Sequence, residues 1–309
     1  MQTDSVIRRH LRRIPMLAAA VGSLLAASTL SSVIPAEASP GDEIVFVRYF
    51  PLGLVIEDIY TTGFSSASAT QLTSSPTISD NSPVWSPDGT TIAFTSNGSL
   101  AVMNADGTGY FTLPGSTLGG SPAWSPDGQS LAYTLGWGNN KEIYVYSLGG
   151  GGSVQLTSNA KDDGDPAWSP DGSKIVFSRN DPSASGPEFD LWVMRADGSN
   201  QTQLTKAHGW EVHPDWSPDG QTIVYTHGKT GAANQLWTVG ATGSAGPQQI
   251  TRGTSSFMPA WSPKGTHIVF ARGKDEEAAP AHIWVIELRS GSERQVTSGN
   301  AKDYFPDWR

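Results

Sequence analysis

The stretch His208-Gly209-Trp210-Glu211-Val212-His213 concentrates the side chains most suited to chemistry. Two imidazoles and a carboxylate so close together could supply three metal ligands. A metal held there would neutralise a substrate carboxylate, which is the chemistry of a lyase or glycosidase acting on acidic polysaccharide. The spacing is a loop arrangement rather than a ligand signature, and His227, His267 and His282 do not converge with it. Geometry rather than residue count defines a metal site, so the sequence assigns no metal and no cofactor. Asp162-Asp163-Gly164-Asp165 looks like a fragment of a calcium loop but lacks the downstream Glu, and reads as a polar turn. The acidic run Asp275-Glu276-Glu277 reads as a solvated loop. Cys is absent, which rules out disulfides, thiolate metal sites and cysteine nucleophiles. There is no Gly-x-Ser-x-Gly elbow either. The sequence names no catalytic residue.

A second set of polar residues emerges from a repeat. Pro-x-Trp recurs at Pro83–Trp85, Pro122–Trp124, Pro166–Trp168, Pro214–Trp216, Pro259–Trp261 and Pro306–Trp308. Three residues before each proline stand Asp80, Gly119, Asp163, Glu211, Ser256 and Asp303. Four of these six are carboxylates. If they lie in loops they ring the mouth of a channel, an electronegative site for a basic peptide or a hard cation. The structural alternative is that each accepts backbone N–H groups in its own turn. Of the 11 Trp, only Trp137 and Trp210 fall outside the repeat positions. Both are expected in variable loops, where they either cover a local apolar gap or anchor a partner.

The elements that position these residues follow from the repeat itself. In the first four copies the Trp is followed by Ser-Pro-Asp-Gly (Ser86–Gly89, Ser125–Gly128, Ser169–Gly172, Ser217–Gly220), and in the fifth Lys264 replaces Asp. Pro presets φ for a type I turn and Gly suits its last position. The four Asp residues are therefore turn formers. Two β-rich runs follow, such as Ile175–Phe177 and Leu191–Met194, and a Gln-apolar-Thr run closes the unit, as at Gln203–Thr205. Four strands (A to D) per unit of 39 to 48 residues, counted from Trp85 to Trp308, is the arithmetic of a propeller blade. Residues 44–73 supply strands B, C and D without an A strand, and Pro306–Trp308 is an A strand with nothing after it. The expected fold is all-β: a six-bladed propeller of four-stranded antiparallel blades. The C-terminal strand around Trp308 would close it against the N-terminal strands. A–B turns are uniformly tight, whereas B–C loops run from Asn97–Ser99 to Asn180–Asp190, so recognition is expected on the face carrying B–C and D–A loops.

Composition agrees with this. Gly 34 and Pro 21 in 309 residues, with only 16% charged, make the chain turn-rich and charge-poor, against helix bundles. Arg8, Arg9, Arg12 and Arg13 precede the apolar run Met16–Leu30, which ends in Ala36-Glu37-Ala38. That is the layout of a secretory signal peptide, cleaved after Ala38, with Sec export expected ahead of twin-arginine export. The domains are then 1–38, the signal, and 39–309, the propeller. Removing 1–38 takes away four Arg and two acids, leaving 16 basic and 27 acidic residues, a net charge of −11. Such acidity excludes phosphate-neutralising nucleic-acid binding. The apolar run is too short to span a bilayer, and no transmembrane segment remains after cleavage.

Six copies of Pro-x-Trp, four followed by Ser-Pro-Asp-Gly, resemble the WD40-like Pro-Asp repeat of TolB-type propellers, over roughly residues 43–309. The resemblance implies an exported scaffold that binds proteins at the propeller mouth. Related propellers are fused to peptidases, and some polysaccharide lyases of this repeat type use a metal. The chain departs from TolB in leading from its signal directly into the first strand, with no α/β domain between.

The first reading is a periplasmic or extracellular, non-catalytic monomer that binds a protein or peptide, preferentially basic. Its contacts would be Trp137, Trp210, Glu211 and His213, with Asp163 and Asp303 beside them. The alternatives are a metal-assisted lyase or glycosidase, and a regulatory propeller for a separate enzyme.

Overall fold

The computed structural model describes residues 42–50, 56–66, 68–138, 140–180, 188–273 and 280–309. The proposed signal peptide and the run Asp275–Glu277 lie outside them. Among the described residues there are 24 strands and no helix. The first unit supplies β1 (Glu43–Tyr49), β2 (Asp58–Gly63) and β3 (Ala69–Gln71). The next two are β4 (Asp80–Trp85), β5 (Thr91–Ser96), β6 (Ser99–Asn104) and β7 (Phe111–Thr112), then β8 (Gly119–Trp124), β9 (Ser130–Trp137), β10 (Asn140–Ser147) and β11 (Gly152–Gln155). A fourth holds β12 (Asp163–Trp168), β13 (Lys174–Asn180), β14 (Phe189–Arg195) and β15 (Thr202–Gln203). A fifth holds β16 (Trp210–Trp216), β17 (Thr222–Gly228), β18 (Gln235–Gly240) and β19 (Gln248–Gln249). The last run is β20 (Ser256–Trp261), β21 (His267–Arg272), β22 (His282–Glu287), β23 (Glu293–Gln295) and β24 (Lys302–Trp308).

The five units β4–β7, β8–β11, β12–β15, β16–β19 and β20–β23 are four-stranded antiparallel meanders in chain order. One sheet departs from chain order: it runs β24-β1-β2-β3, with Ile44 opposite Trp308 and Arg48 opposite Asp303. The units β12–β15 and β16–β19 merge through one parallel bridge, Phe189 to Trp210.

The repeated residues do repeated mechanical work. In the Ser-Pro-Asp-Gly turn, the Ser86 hydroxyl donates to Asp88 Oδ1 at 2.6 Å, and Asp88 Oδ1 accepts the Thr90 N–H at 3.0 Å. Gly89 takes φ 66, a left-handed value that suits glycine. Asp127, Asp171 and Asp219 repeat this, and hydrogen bonds led by the Ser169 hydroxyl hold Asp171 down to about 2. The turn keeps its backbone bond at Gly265 even where Lys264 replaces the carboxylate. The closing Thr of each unit caps the third strand. Thr157, Thr205, Thr251 and Thr297 accept the N–H of Ile143, Leu191, Leu236 and Ile283, each at 2.9 Å. Ser116 takes this role for Leu100 at 3.0 Å.

The repeat Trp joins neighbouring units, as expected of packing material. The Trp124 indole N–H donates to the Val84 carbonyl and that of Trp216 to the Ala167 carbonyl, both at 3.2 Å. The apolar core lies between sheets: Val45 and Ile59 pack against Trp85, Ile92 and Phe94 of the next unit. Trp308 packs with Ile44, Phe46 and Val269.

Candidate functional site: an axial channel and its rim

Strand A of every unit carries a bulge at the residue before its proline. Ser82, Ser121, Asp165, His213, Met258 and Phe305 take φ between 48 and 55. The cross-strand register shifts at each of these points. Proline closes the right-handed helical region to its predecessor, and a bulge with its first residue in the left-handed region turns that residue out of the ladder. The six residues face one cavity of about 150 Å³. All six of these strands contribute to its lining. Six prolines, Val84, Ala123, Ala167 and Ala260 make its wall largely apolar, and its titratable groups are Asp165, Asp215, Asp307 and His213. Among the described residues no Lys or Arg lines it.

Asp215 and Asp307 occupy the middle position of Pro-x-Trp. Asp215 accepts the backbone N–H of Trp261 at 2.7 Å and of Trp216 at 2.9 Å. Burial first, then the charge of Asp307, pushes Asp215 up to about 7, while burial pushes Asp307 up to about 6. At the same level Asp165 accepts the Ser121 hydroxyl at 3.2 Å. Its Oδ2 lies 3.9 Å from His213 Nε2. The His213 ring meets Phe305 edge-on at 6.0 Å, and its Nδ1 has no hydrogen-bond partner.

The carboxylates expected to ring this mouth lie elsewhere. Asp80, Asp163, Glu211 and Asp303 are strand residues, not loop residues, and all four are buried. Asp163 is held by a bidentate Arg179 at 2.6 Å and Asp303 by Arg48 at 2.7 and 2.9 Å. Arg48 and the other hydrogen-bond donors keep Asp303 below the usual carboxylate range against the cost of its burial. The sequence counted three residues back from proline, whereas the bulge presents the residue one back. Proline itself was the signal, because it dictates where the bulge falls.

Trp210 opens β16 rather than sitting in a loop, is half-buried, and donates to Asn234 Oδ1 at 3.2 Å. Trp137 closes β9 at the hairpin to β10 and is 79% exposed. Beside it Leu118, also exposed, accepts the Gly136 N–H at 3.3 Å. The proposed metal ligands diverge. His208 is fully exposed beside Glu188 at 3.2 Å, Glu211 is buried, and His213 lines the channel. No group of three His, Asp or Glu among the described residues is arranged to hold a metal. No helix among them is long and apolar enough to cross a membrane.

Known proteins show the same architecture. TolB from Acinetobacter baumannii superposes with a TM-score of 0.73 at 19% identity, over 86% of this chain and 66% of that one. Putative TolB from Agrobacterium tumefaciens gives 0.67 at 22% identity, over 87% and 98%. An oligogalacturonate lyase in complex with manganese gives 0.57 at 18% identity, over 84% and 82%. This chain thus spans just under two thirds of the Acinetobacter protein's length. No curated protein matches it in sequence. The family model of the TolB beta propeller domain matches residues 99–309, and the chain belongs to that family.

Proposed function

We propose that the protein is an exported, closed six-bladed propeller that acts as a non-catalytic scaffold, binding a protein or peptide at the face carrying the B–C and D–A loops. The observation that carries this reading is the axial channel. It offers apolar walls, three aspartates and a histidine, with no Lys or Arg among the described residues to oppose a cation. A basic side chain on an aliphatic stem matches both parts of that lining. Trp137, exposed at the β9–β10 hairpin beside Leu118, supplies apolar area for the remainder of the partner. The pairing of β24 with β1 supports closure of the ring, and the leader-like residues 1–38 support export.

The test is calorimetric titration of the mature protein with short Lys- or Arg-containing peptides and with their Glu-containing counterparts. Selective binding of the basic set, weakened by Asp165→Asn and by raised salt, is the expected result. Equal affinity for both sets, or none for either, overturns the reading. The lyase alternative requires His208, Glu211 and His213 to converge, and their side chains lie in three different environments.

A further inference from the structure

Three units share one polar arrangement. The first strand opens with a residue whose cross-strand neighbour in the second strand is an arginine: Asp303 with Arg48, Asp163 with Arg179, Ser256 with Arg272. Each guanidinium also lies over two aromatic rings, Phe46 and Tyr60, Phe177 and Trp192, or Phe270 and Trp284, at 4.7–5.2 Å. In the fifth unit the same register pairs Glu211 with His227. His227 takes up the arginine's place, edge-on to Trp237 at 5.5 Å, with its Nδ1 3.8 Å from Glu211 Oε1. It does not take up the arginine's charge. Burial first, and then Lys229, holds it below the ordinary histidine range.

Glu211 is 1% exposed and its Oε2 has no hydrogen-bond partner among the described residues. Around it stand Asp190 on β14, Tyr225 and His227 on β17, and Thr205 in the connection before β16. The two hydroxyls hydrogen-bond to the carboxyl, while Asp190 opposes its charge. Asp163 on β12 is neutralised by Arg179 on β13, and β20 brings no charged residue. Glu211 also stands beside the bridge between β14 and β16, where the Phe189 N–H donates to the Gly209 carbonyl at 3.1 Å.

We propose that Glu211 is a proton-controlled latch on the seam between β14 and β16: protonated, it lets the seam close, and ionised, it faces Asp190 with a buried, uncompensated charge and loosens it. A buried carboxylate without a cation is costly, so the closed seam favours the neutral acid. Burial, with Asp190 adding to it, accordingly holds Glu211 up to about 7. The sign follows from this. Closure is at full strength below the ordinary glutamate range and weakens as pH rises through about 7. The latch does not depend on what the face binds.

The test is amide hydrogen exchange of the mature protein, corrected for intrinsic rates, with carbon NMR of the glutamate carboxyls. Protection of the Phe189 amide should fall about tenfold between about pH 5.5 and 8. Glu211→Gln should hold it at the low-pH level throughout. His227→Arg installs the cation of the other units and should return Glu211 to an ordinary titration. A glutamate that titrates near its ordinary value in the wild type, or protection independent of pH, overturns the proposal without any variant. A pH dependence that survives in Glu211→Gln or His227→Arg assigns the effect to another group and overturns it equally.

Discussion

The Asp307 carboxylate in the last strand accepts the backbone N–H of Trp85, more than two hundred residues earlier in the chain, at 2.7 Å. Asp215 does the same for Trp261. Each is a clip from one unit to the next, made by a side chain where other units present Val or Ala. The clips face the channel, and the fold holds both acids above the ordinary aspartate range, to about 6 and about 7. Protons therefore bind the folded state more tightly. The stability they give is full below the unfolded aspartate value and is lost as pH rises through about 6 and about 7. In urea titrations the wild-type midpoint should fall over that window. Asp215→Asn/Asp307→Asn keeps both acceptors and should flatten the fall, recovering on the order of 1 kcal/mol per site. Asp307→Ala strands the Trp85 N–H and should cost roughly 1–3 kcal/mol at any pH.

Asp303 titrates with the opposite sign. Arg48 and the other donors hold it below the ordinary range despite its burial, so its contribution is full at neutral pH and disappears as pH falls below about 4. Asp303→Ala leaves the Arg48 guanidinium unpaired between β1 and β24 and should destabilise by roughly 3–5 kcal/mol. Arg48→Lys loses the bidentate geometry and the stacking on Phe46 and Tyr60, and should fall between wild type and the alanine variant. Chemical denaturation followed by Trp fluorescence checks both.

Trp137→Ala removes a side chain that is 79% exposed. The melting temperature should stay within a degree or two of wild type, with ΔΔG inside about 0.5 kcal/mol. Binding of a partner that uses the rim should weaken by about 2 kcal/mol, the scale of an aromatic anchor. Parallel calorimetry and thermal melts separate the two effects.

Thr157→Val probes the closing residue of a unit. The hydroxyl accepts the Ile143 N–H at 2.9 Å and donates to Glu142 at 2.6 Å, so an isosteric apolar replacement strands the Ile143 N–H and leaves Glu142 with Asn159 as its donor. A loss of roughly 1–3 kcal/mol is expected in a urea midpoint assay.

The repeat was legible because every unit solves the same packing problem with the same residues. Trp85, Trp124 and Trp216 lie between units, the Ser-Pro-Asp-Gly aspartates brace their own turns, and Trp308 pairs with Ile44 as the missing first strand of the N-terminal unit. The site was less legible. Asp163 and Asp303 differ from channel residues only in standing two positions earlier, and a regular strand would have sent residues two apart to the same side. The bulge breaks that alternation. It falls on Ser, Asp, His, Met and Phe with φ near 50, and Asp and His apart these types give no hint of a left-handed backbone. Trp137, expected in a loop, is the last residue of β9, paired with Asn140 across the turn. Trp210 was misplaced because strand β16 starts earlier than its neighbours' spacing suggested.

The Glu43 and Arg309 backbones exchange two hydrogen bonds, at 3.0 and 3.4 Å. These bonds sew the end of β24 to the start of β1. A circularly permuted version, with these two residues linked and new termini opened in the connection before β12, would keep every inter-unit contact. What it would change is the order of assembly: a different pair of strands would be the last to meet.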